Sequence, residues 1–454
     1  MISSEIPLDQ YGMDDTKVYE ILRRKRAFWN SASHPLVTDD ESDKRSSFRP
    51  LPDVLPKTLL EQQEHYSYQK DSSEKSELLS NCSTLTTRKL NYDKPILIIY
   101  NPNSGKKTNL QPKIKQRLDE AQLKYEFLGT RKAGDSYHFP KEQVELQKYS
   151  LLVAAGGDGT YHEVINGMLA RKDGCKLPVA LIPNGSGNDL CTSLGIFCLE
   201  DALDYIVNGE VFSMDTTQVL LDYDQKEDVP PEKIMTHCRH MLINSTLAMT
   251  AIIANEAIKY KKYFGKASYQ IAIVQLLLQN NFHPFIYQIE IDGTIVSSPN
   301  RTNNVSSILL MLNNGKYTGA GLVINPYACV NDGLTDLTWI EDEKSQKLKG
   351  VAATMEKAKK GGLQAYDNTS LYYRGKELKI TFQQESRKQK SKKQKSKLQN
   401  LGIDGEDFLF KKTVLYSTCP QNVEVVFYPK KYYALFHRGN SDSSGAAKKT
   451  NRTT

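Results

Sequence analysis

The sequence predicts an α/β fold, a doubly wound parallel domain followed by an antiparallel β-sandwich. Three observations predict it. Continuous apolar runs at Ile96 to Tyr100, Leu151 to Ala155 and Val179 to Ile182 alternate with helical stretches, the pattern of parallel strands buried on both faces. Each of these runs ends in a turn containing glycine, at the carboxyl end of its strand, where ligands of such sheets collect. Beyond about Met214 the texture changes to strands of mixed or alternating pattern separated by turn signals.

Taken in order, residues 1–93 are rich in Ser, Asp, Glu, Gln and Lys, carry Pro50, Pro52 and Pro56, and read as a mostly disordered leader. Within it, Thr16 is placed to cap a helix through Trp29 with basic Arg23 to Arg26, suited to an interface, a partner or the protein's own fold. Order is expected from Pro95. The domain at 94–215 continues through a helix with Ile114, Leu118 and Leu123, a strand at Lys124 to Leu128, a helical stretch, and the strands at Leu151 and Val179. The second domain, 216–437, is expected to place strands at Met241 to Thr246, Phe285 to Asp292, Ser307 to Asn313, Leu334 to Ile340, Leu378 to Phe382 and Val423 to Tyr428, with a helix over Ile258 to Gln279. Residues 438–454 read as a flexible tail.

The seven cysteines are scattered, odd in number and never spaced as Cys-x-x-Cys, so reduced thiols are expected and a zinc site is not. No apolar stretch reaches the ~18 residues of a membrane-spanning helix, and the start lacks the basic and apolar regions of a signal peptide. The expected compartment is the cytoplasm, with peripheral attachment to a membrane. The formal charge of +7 equals the seven cations of Arg387 to Lys397, a segment without anions or aromatic residues, so the rest of the chain is balanced. A nucleic-acid binder would spread cations over a folded face and interleave aromatics, and none is expected here. Segment 387–397 reads instead as a docking patch for an anionic membrane surface, a solvated insertion or a localisation signal.

Phosphate binding needs what the glycine turns supply: backbone that approaches closely, and a helix N-terminus presenting N–H groups and a positive dipole end. The turn Gly156-Gly157-Asp158-Gly159-Thr160 also carries a carboxylate, and Gly185-Ser186-Gly187 opens the next turn. Asn101-Pro102-Asn103-Ser104-Gly105-Lys106 adds backbone donors, a hydroxyl and a cation without the spacing of a Walker loop. Phosphoryl transfer to an alcohol needs a carboxylate within reach of the attacking hydroxyl, and Asp158 is placed for that role.

Gly156 to Thr160, followed by His162-Glu-Val-Ile-Asn-Gly167 and Gly185-Ser-Gly-Asn-Asp189, resembles the diacylglycerol kinase and sphingosine kinase superfamily of lipid kinases. The resemblance spans about residues 94 to 430. It implies ATP in the cleft between two domains, held by the three turns together with Thr130 and Glu163, and it implies Mg²⁺. His162 reads as structural. Where relatives often have His-Ala after the Thr130 segment, this chain has Asp135-Ser136. Asp404-Gly405-Glu406 matches a family turn that closes over the nucleotide and metal, so Asp404 and Glu406 are the expected metal ligands. Asn331-Asp332-Gly333 matches a further family segment, and Asp332 is a second catalytic candidate, although the tripeptide is also a plain β-turn sequence.

The stretch around Lys259 to Tyr269 resembles the family's lipid pocket, lined here by Ala254, Glu256 and Lys261. Sphingosine kinases carry an acidic residue that pairs with the substrate amine, and ungapped matching places Ala254 there, with Glu256 two residues on. The acceptor favoured is therefore a neutral one of the diacylglycerol type, with sphingosine as the alternative, then ceramide. An NAD kinase and a pseudokinase recruiting unknown protein partners are the competing readings.

Overall fold

The computed structural model describes residues 3–7, 84–102, 104–105, 109–223, 238–264, 268–278, 285–296, 303–319, 322–325, 328–341, 370–383 and 398–429. The expected helix over Thr16 to Trp29, the basic segment 387–397, the tail from 438, and the turn residues Asn103 and Lys106 lie outside the described residues.

The first unit comprises β1 (Ser3–Pro7), β2 (Thr84–Lys89), β3 (Ile96–Tyr100), α1 (Gln111–Glu120), β4 (Tyr125–Gly129), α2 (Asp135–His138), β5 (Leu151–Gly156), α3 (Asp158–Leu169), β6 (Val179–Pro183), α4 (Asp189–Ser193), α5 (Leu199–Asn208) and β7 (Glu210–Leu221). Strands β4, β3, β5 and β6 lie side by side in that order, all parallel. Ile96 to Ile99 and Leu151 to Ala155 are buried, which explains their unbroken apolar runs. Part of the expected leader is structured: β2 pairs with β7 through Arg88 and Lys89, and Arg88 Nε donates to Glu424 Oε1 at 2.8 Å. β1 pairs with β2 on its other edge, so structured strands of this domain precede Pro95.

The second unit comprises β8 (Cys238–Met241), β9 (Asn244–Ala248), α6 (Met249–Phe264), α7 (Ser268–Leu278), β10 (Phe285–Ile291), β11 (Thr294–Val296), β12 (Val305–Asn313), β13 (Tyr317–Thr318), β14 (Leu322–Val323), β15 (Thr335–Glu341), β16 (Ser370–Gly375), β17 (Glu377–Gln383), β18 (Gln399–Ile403), β19 (Glu406–Phe410) and β20 (Thr413–Phe427). Its pairings are antiparallel, among them β10 with β17, β12 with β9 and β15, and β18 with β19 and β9. Leu247, Ile289, Leu310, Trp339, Ile380 and Phe410 fill its core. The helix expected over Ile258 to Gln279 is two helices, α6 and α7, packed on each other beside Ile308 and Phe285 of the sheet. The strand expected over Met241 to Thr246 is likewise split, at Leu242 and Ile243, whose N–H groups leave the ladder to bind the Asp404 carboxylate.

The long strands β7 and β20 join the two units. They pair antiparallel from Leu221 opposite Val414 to Glu210 opposite Phe427, with one irregularity between Cys419 and Val423. At its far end β20 also meets β6, Val425 opposite Val179, in parallel. Val423, Val425, Val426 and Phe427 are thereby buried in the first core, so the chain's last described strand returns to the domain that carries the glycine turns.

Candidate active site

The turns after β3, β5 and β6 meet at one place. Asn184 N–H donates to Gly156 O at 2.7 Å, and Asn184 Nδ2 donates to Ser104 Oγ at 3.2 Å, so the third turn is hydrogen-bonded to each of the others. The backbones nearly touch: a methyl group added at Gly185 would lie 2.5 Å from Gly157 Cα, and one at Gly105, which has φ of +59°, would lie 2.0 Å from Asn184 O. Any side chain at either position would wedge the turns apart. Within the third turn Asn188 adopts φ of +58°, and its own side chain accepts from Gly185 N–H at 2.8 Å.

Asp158, the first residue of α3, points across to the third turn. Its Oδ2 accepts from Asn188 N–H at 2.7 Å and its Oδ1 from Leu190 N–H at 3.3 Å. Burial, with the neighbouring Asp189 carboxylate second, raises its pKa to about 7, against the opposing pull of those two N–H groups. A carboxylate with two lone-pair positions still open, titrating near neutrality at the meeting point of three glycine turns, is suited to accept a proton. The sequence marks Asp189 only as part of its motif; its buried side chain makes it a member of the site.

Glu163 and Glu406 complete the acidic cluster. Glu406 is exposed at the start of β19 and comes from the second unit, yet its Oε1 would lie only 2.6 Å from a methyl added at Gly159. Glu163, one turn into α3, is held above the ordinary carboxylate pKa by burial and then by Glu406, while the Ser136 hydroxyl and Gly134 N–H work against the rise. Thr130 is buried after β4, where its N–H donates to Tyr100 O at 3.0 Å. Asp135, the departure from the family pattern, acts locally. It accepts from the N–H groups of Arg131 and Lys132 at 2.8 and 3.0 Å and closes that loop.

Two expected roles do not fit the geometry. Asp404, paired with Glu406 as a metal ligand, has both oxygens engaged. Oδ1 accepts from Ile243 and Asn244 N–H, and Oδ2 accepts from Leu242 N–H and His162 Nδ1. A carboxylate so saturated in a site 3% exposed anchors the turn rather than a cation. Asp332, the second catalytic candidate, is buried against Arg374, which also pairs with Asp336, and its other oxygen accepts from Leu334 N–H. Its charge is spent inside the sandwich.

The lipid-pocket candidates Ala254, Glu256 and Lys261 lie on α6. Ala254 is half-buried, and the Lys261 side chain lies outside the described residues. Glu256 is occupied: one oxygen meets Lys259 Nζ at 2.7 Å and the other accepts from Gln275 Nε2 of α7 at 3.1 Å.

The comparisons with known proteins agree with this architecture. The profile of the diacylglycerol kinase catalytic domain matches residues 95–219, and that of the YegS C-terminal NAD kinase beta sandwich-like domain matches residues 246–427. The chain is 30% identical over 246 residues to a diacylglycerol kinase of Bacillus subtilis, covering 53% of this chain and 71% of that one. It is 25% identical over 244 residues to a protein of Yersinia enterocolitica named probable lipid kinase YegS-like, covering 53% and 73%, and 31% identical over 141 residues to sphingosine kinase 1 of Arabidopsis thaliana, covering 28% of each. A crystal structure of a diacylglycerol kinase from Bacillus anthracis shares the fold with a TM-score of 0.51 at 18% identity, covering 74% of this chain and 97% of that one. The chain belongs to the diacylglycerol kinase and sphingosine kinase superfamily, and is a lipid kinase.

Proposed function

We propose that this protein transfers the γ-phosphate of Mg·ATP to the hydroxyl of a diacylglycerol-type lipid. The convergence of three glycine turns on Asp158, with Glu406 brought in from the second unit, is the observation that carries the reading. The turns at 101–106, 156–159 and 185–187 hold the phosphates, the N-terminus of α3 faces them, and Asp158 takes the proton as the lipid oxygen attacks. Mg²⁺ supplies charge neutralisation on the phosphoryl oxygens. Among the described residues no cluster of three or more Asp, Glu, His or Cys is arranged to hold a metal; Glu406, exposed beside Gly159, would hold Mg²⁺ from the protein side together with the nucleotide phosphates.

The neutral acceptor is supported by α6. Ala254 offers no anion, and the Glu256 carboxylate is already neutralised by Lys259 and bonded to Gln275. Glu256→Gln is therefore expected to change KM for diacylglycerol and sphingosine alike in steady-state assays. A selective rise in KM for sphingosine of about tenfold or more, the worth of one charge-assisted hydrogen bond, would transfer the proposal to a sphingoid base.

Docking to the cytoplasmic face of an anionic membrane rests on the seven cations of 387–397, at about 1 kcal/mol each near such a surface. The described residues contain no helix long and apolar enough to cross a membrane. Deleting 387–397 is expected to abolish sedimentation with phosphatidylserine vesicles at physiological salt while leaving turnover of a micellar substrate in place. Undiminished sedimentation would reject the docking role.

A further inference from the structure

We infer that His162 is a positioning residue that sets Glu406 over the phosphate site by fastening the Asp404 to Glu406 turn to α3. The inference rests on the kinase reading above, because that reading places Glu406 at the reacting phosphate.

His162 lies one turn after Asp158 on α3, and its Nδ1 is 2.9 Å from Asp404 Oδ2, with the two side chains only 2% and 3% exposed. Both Asp404 oxygens already accept backbone N–H bonds, so the imidazole Nδ1–H is the donor. The other ring nitrogen, Nε2, is buried and has no hydrogen-bond partner among the described residues. Only one edge of this ring is used, and that edge reaches another unit of the protein across 242 residues of chain.

The turn it holds is a short two-residue hairpin loop. Asp404 and Gly405 have φ of +50° and +89°, and the next residue is Glu406, whose Oε1 lies against Gly159 at the start of the same helix. Asp158, His162 and Glu406 are thus tied into one circuit: α3 presents the phosphate turn at its first residue and grips, one turn later, the hairpin that brings the second carboxylate back to it. Asn166, one further turn along α3, exchanges two hydrogen bonds with the backbone of His240 and so fastens β8 rather than the turn. The imidazole contact adds to the three backbone N–H bonds that anchor Asp404 and ties the turn to α3 itself, and a misplacement of about 1 Å can cost about 10²-fold in rate.

The two amide side chains separate this role from simple packing. Asparagine places its Nδ2 donor where imidazole Nδ1 lies, whereas glutamine places its donor near Nε2, the edge without a partner. In steady-state assays with Mg·ATP and diacylglycerol, His162→Asn is expected to keep kcat/KM within about threefold of the parent protein, and His162→Gln and His162→Leu to lose about 10- to 100-fold. Hydrogen exchange supplies a readout independent of activity: the amides of Gly405 to Asp407 are expected to exchange faster in the glutamine and leucine variants and at the parent rate in the asparagine variant. Equal loss in all three variants, or an unchanged turn in His162→Gln, overturns the positioning role. If the leucine variant does not fold, the asparagine and glutamine pair decides alone. If the parent protein transfers no phosphate to any lipid, the kinase reading fails, and the exchange comparison still decides whether His162 holds the turn.

Discussion

Replacing Asp158 with asparagine is expected to abolish phosphoryl transfer, by about 10³-fold or more, and at the same time to raise the melting temperature of the ligand-free protein at pH 8. Both effects follow from one environment. Burial and the Asp189 charge raise the Asp158 pKa to about 7, so the carboxylate is costly to ionise in the folded protein and well matched to accept a proton at neutral pH. The sign of the stability effect is fixed by linkage. Below about pH 4 the group is protonated folded and unfolded, and no penalty exists; between about 4 and about 7 the unfolded chain ionises first, so stability falls, and above about 7 the full penalty persists. Asparagine removes the penalty and still accepts the Asn188 N–H bond through its carbonyl. The melting-temperature gain should therefore be present at pH 8 and vanish toward pH 4. The kcat/KM of the unmutated protein should rise with pH through about 7 as Asp158 loses its proton. Scanning calorimetry of both proteins at the two pH values, with a pH–rate profile, checks these expectations. A variant that is inactive but no more stable at pH 8 would mean that the carboxylate is not strained.

Glu406→Gln carries the second large effect. Glu406 is exposed, arrives from the second unit, and meets the first turn of α3 at Gly159. If it holds Mg²⁺ beside the nucleotide phosphates, the amide should raise the Kd for Mg·ATP by about tenfold or more, increase the Mg²⁺ concentration needed for half-maximal rate, and leave binding of metal-free ATP little changed. Calorimetric titration with and without the metal separates these terms. An unchanged Kd with a kcat lowered about 10²- to 10⁴-fold would instead make Glu406 the proton acceptor and contradict the assignment of that role to Asp158. The same substitution should also lower the pKa of Glu163, since Glu406 is the second cause of its elevation.

The parallel sheet is legible in the sequence because β3, β5 and β6 are covered on both faces, and a strand in that position must be apolar throughout. The glycine turns are legible for a related reason: the backbones of Gly157 and Gly185 are in contact, and no other residue type can occupy those positions without moving them. Strands β7 and β20 leave a weaker trace. The sequence pattern marks only Val423 to Tyr428, while β20 spans Thr413–Phe427 and β7 spans Glu210–Leu221, both crossing from one core to the other with mixed polarity. Their partners are about two hundred residues distant, and no local pattern records such a pairing. Strand β2 is hidden for the same reason, lying between β1 and β7, both distant in sequence, and being held as well by Arg88 to Glu424.

The site shows the same division. Asp158 and Glu406 can be singled out from the turns that carry them, but Asp404 and Asp332 stand in turns of equal promise and are consumed elsewhere. The N–H groups that saturate Asp404 come from Leu242 to Asn244, about 160 residues away, and Asp332 is closed off by Arg374. A carboxylate in a turn motif announces a polar anchor; whether it anchors a ligand or the backbone depends on contacts that the motif does not contain. His162 is the converse case, a residue that reads as structural and whose bond to Asp404 joins α3, which opens at Asp158, to the turn that carries Glu406.

The most direct test is the transfer of labelled γ-phosphate from Mg·ATP to diacylglycerol, sphingosine and ceramide in mixed micelles, with the Asp158→Asn variant in parallel. Label in diacylglycerol, lost in the variant, is the predicted result. No label in any lipid from a protein that still binds Mg·ATP would contradict the assignment and point to a soluble acceptor such as NAD, or to a protein that binds nucleotide without transferring it.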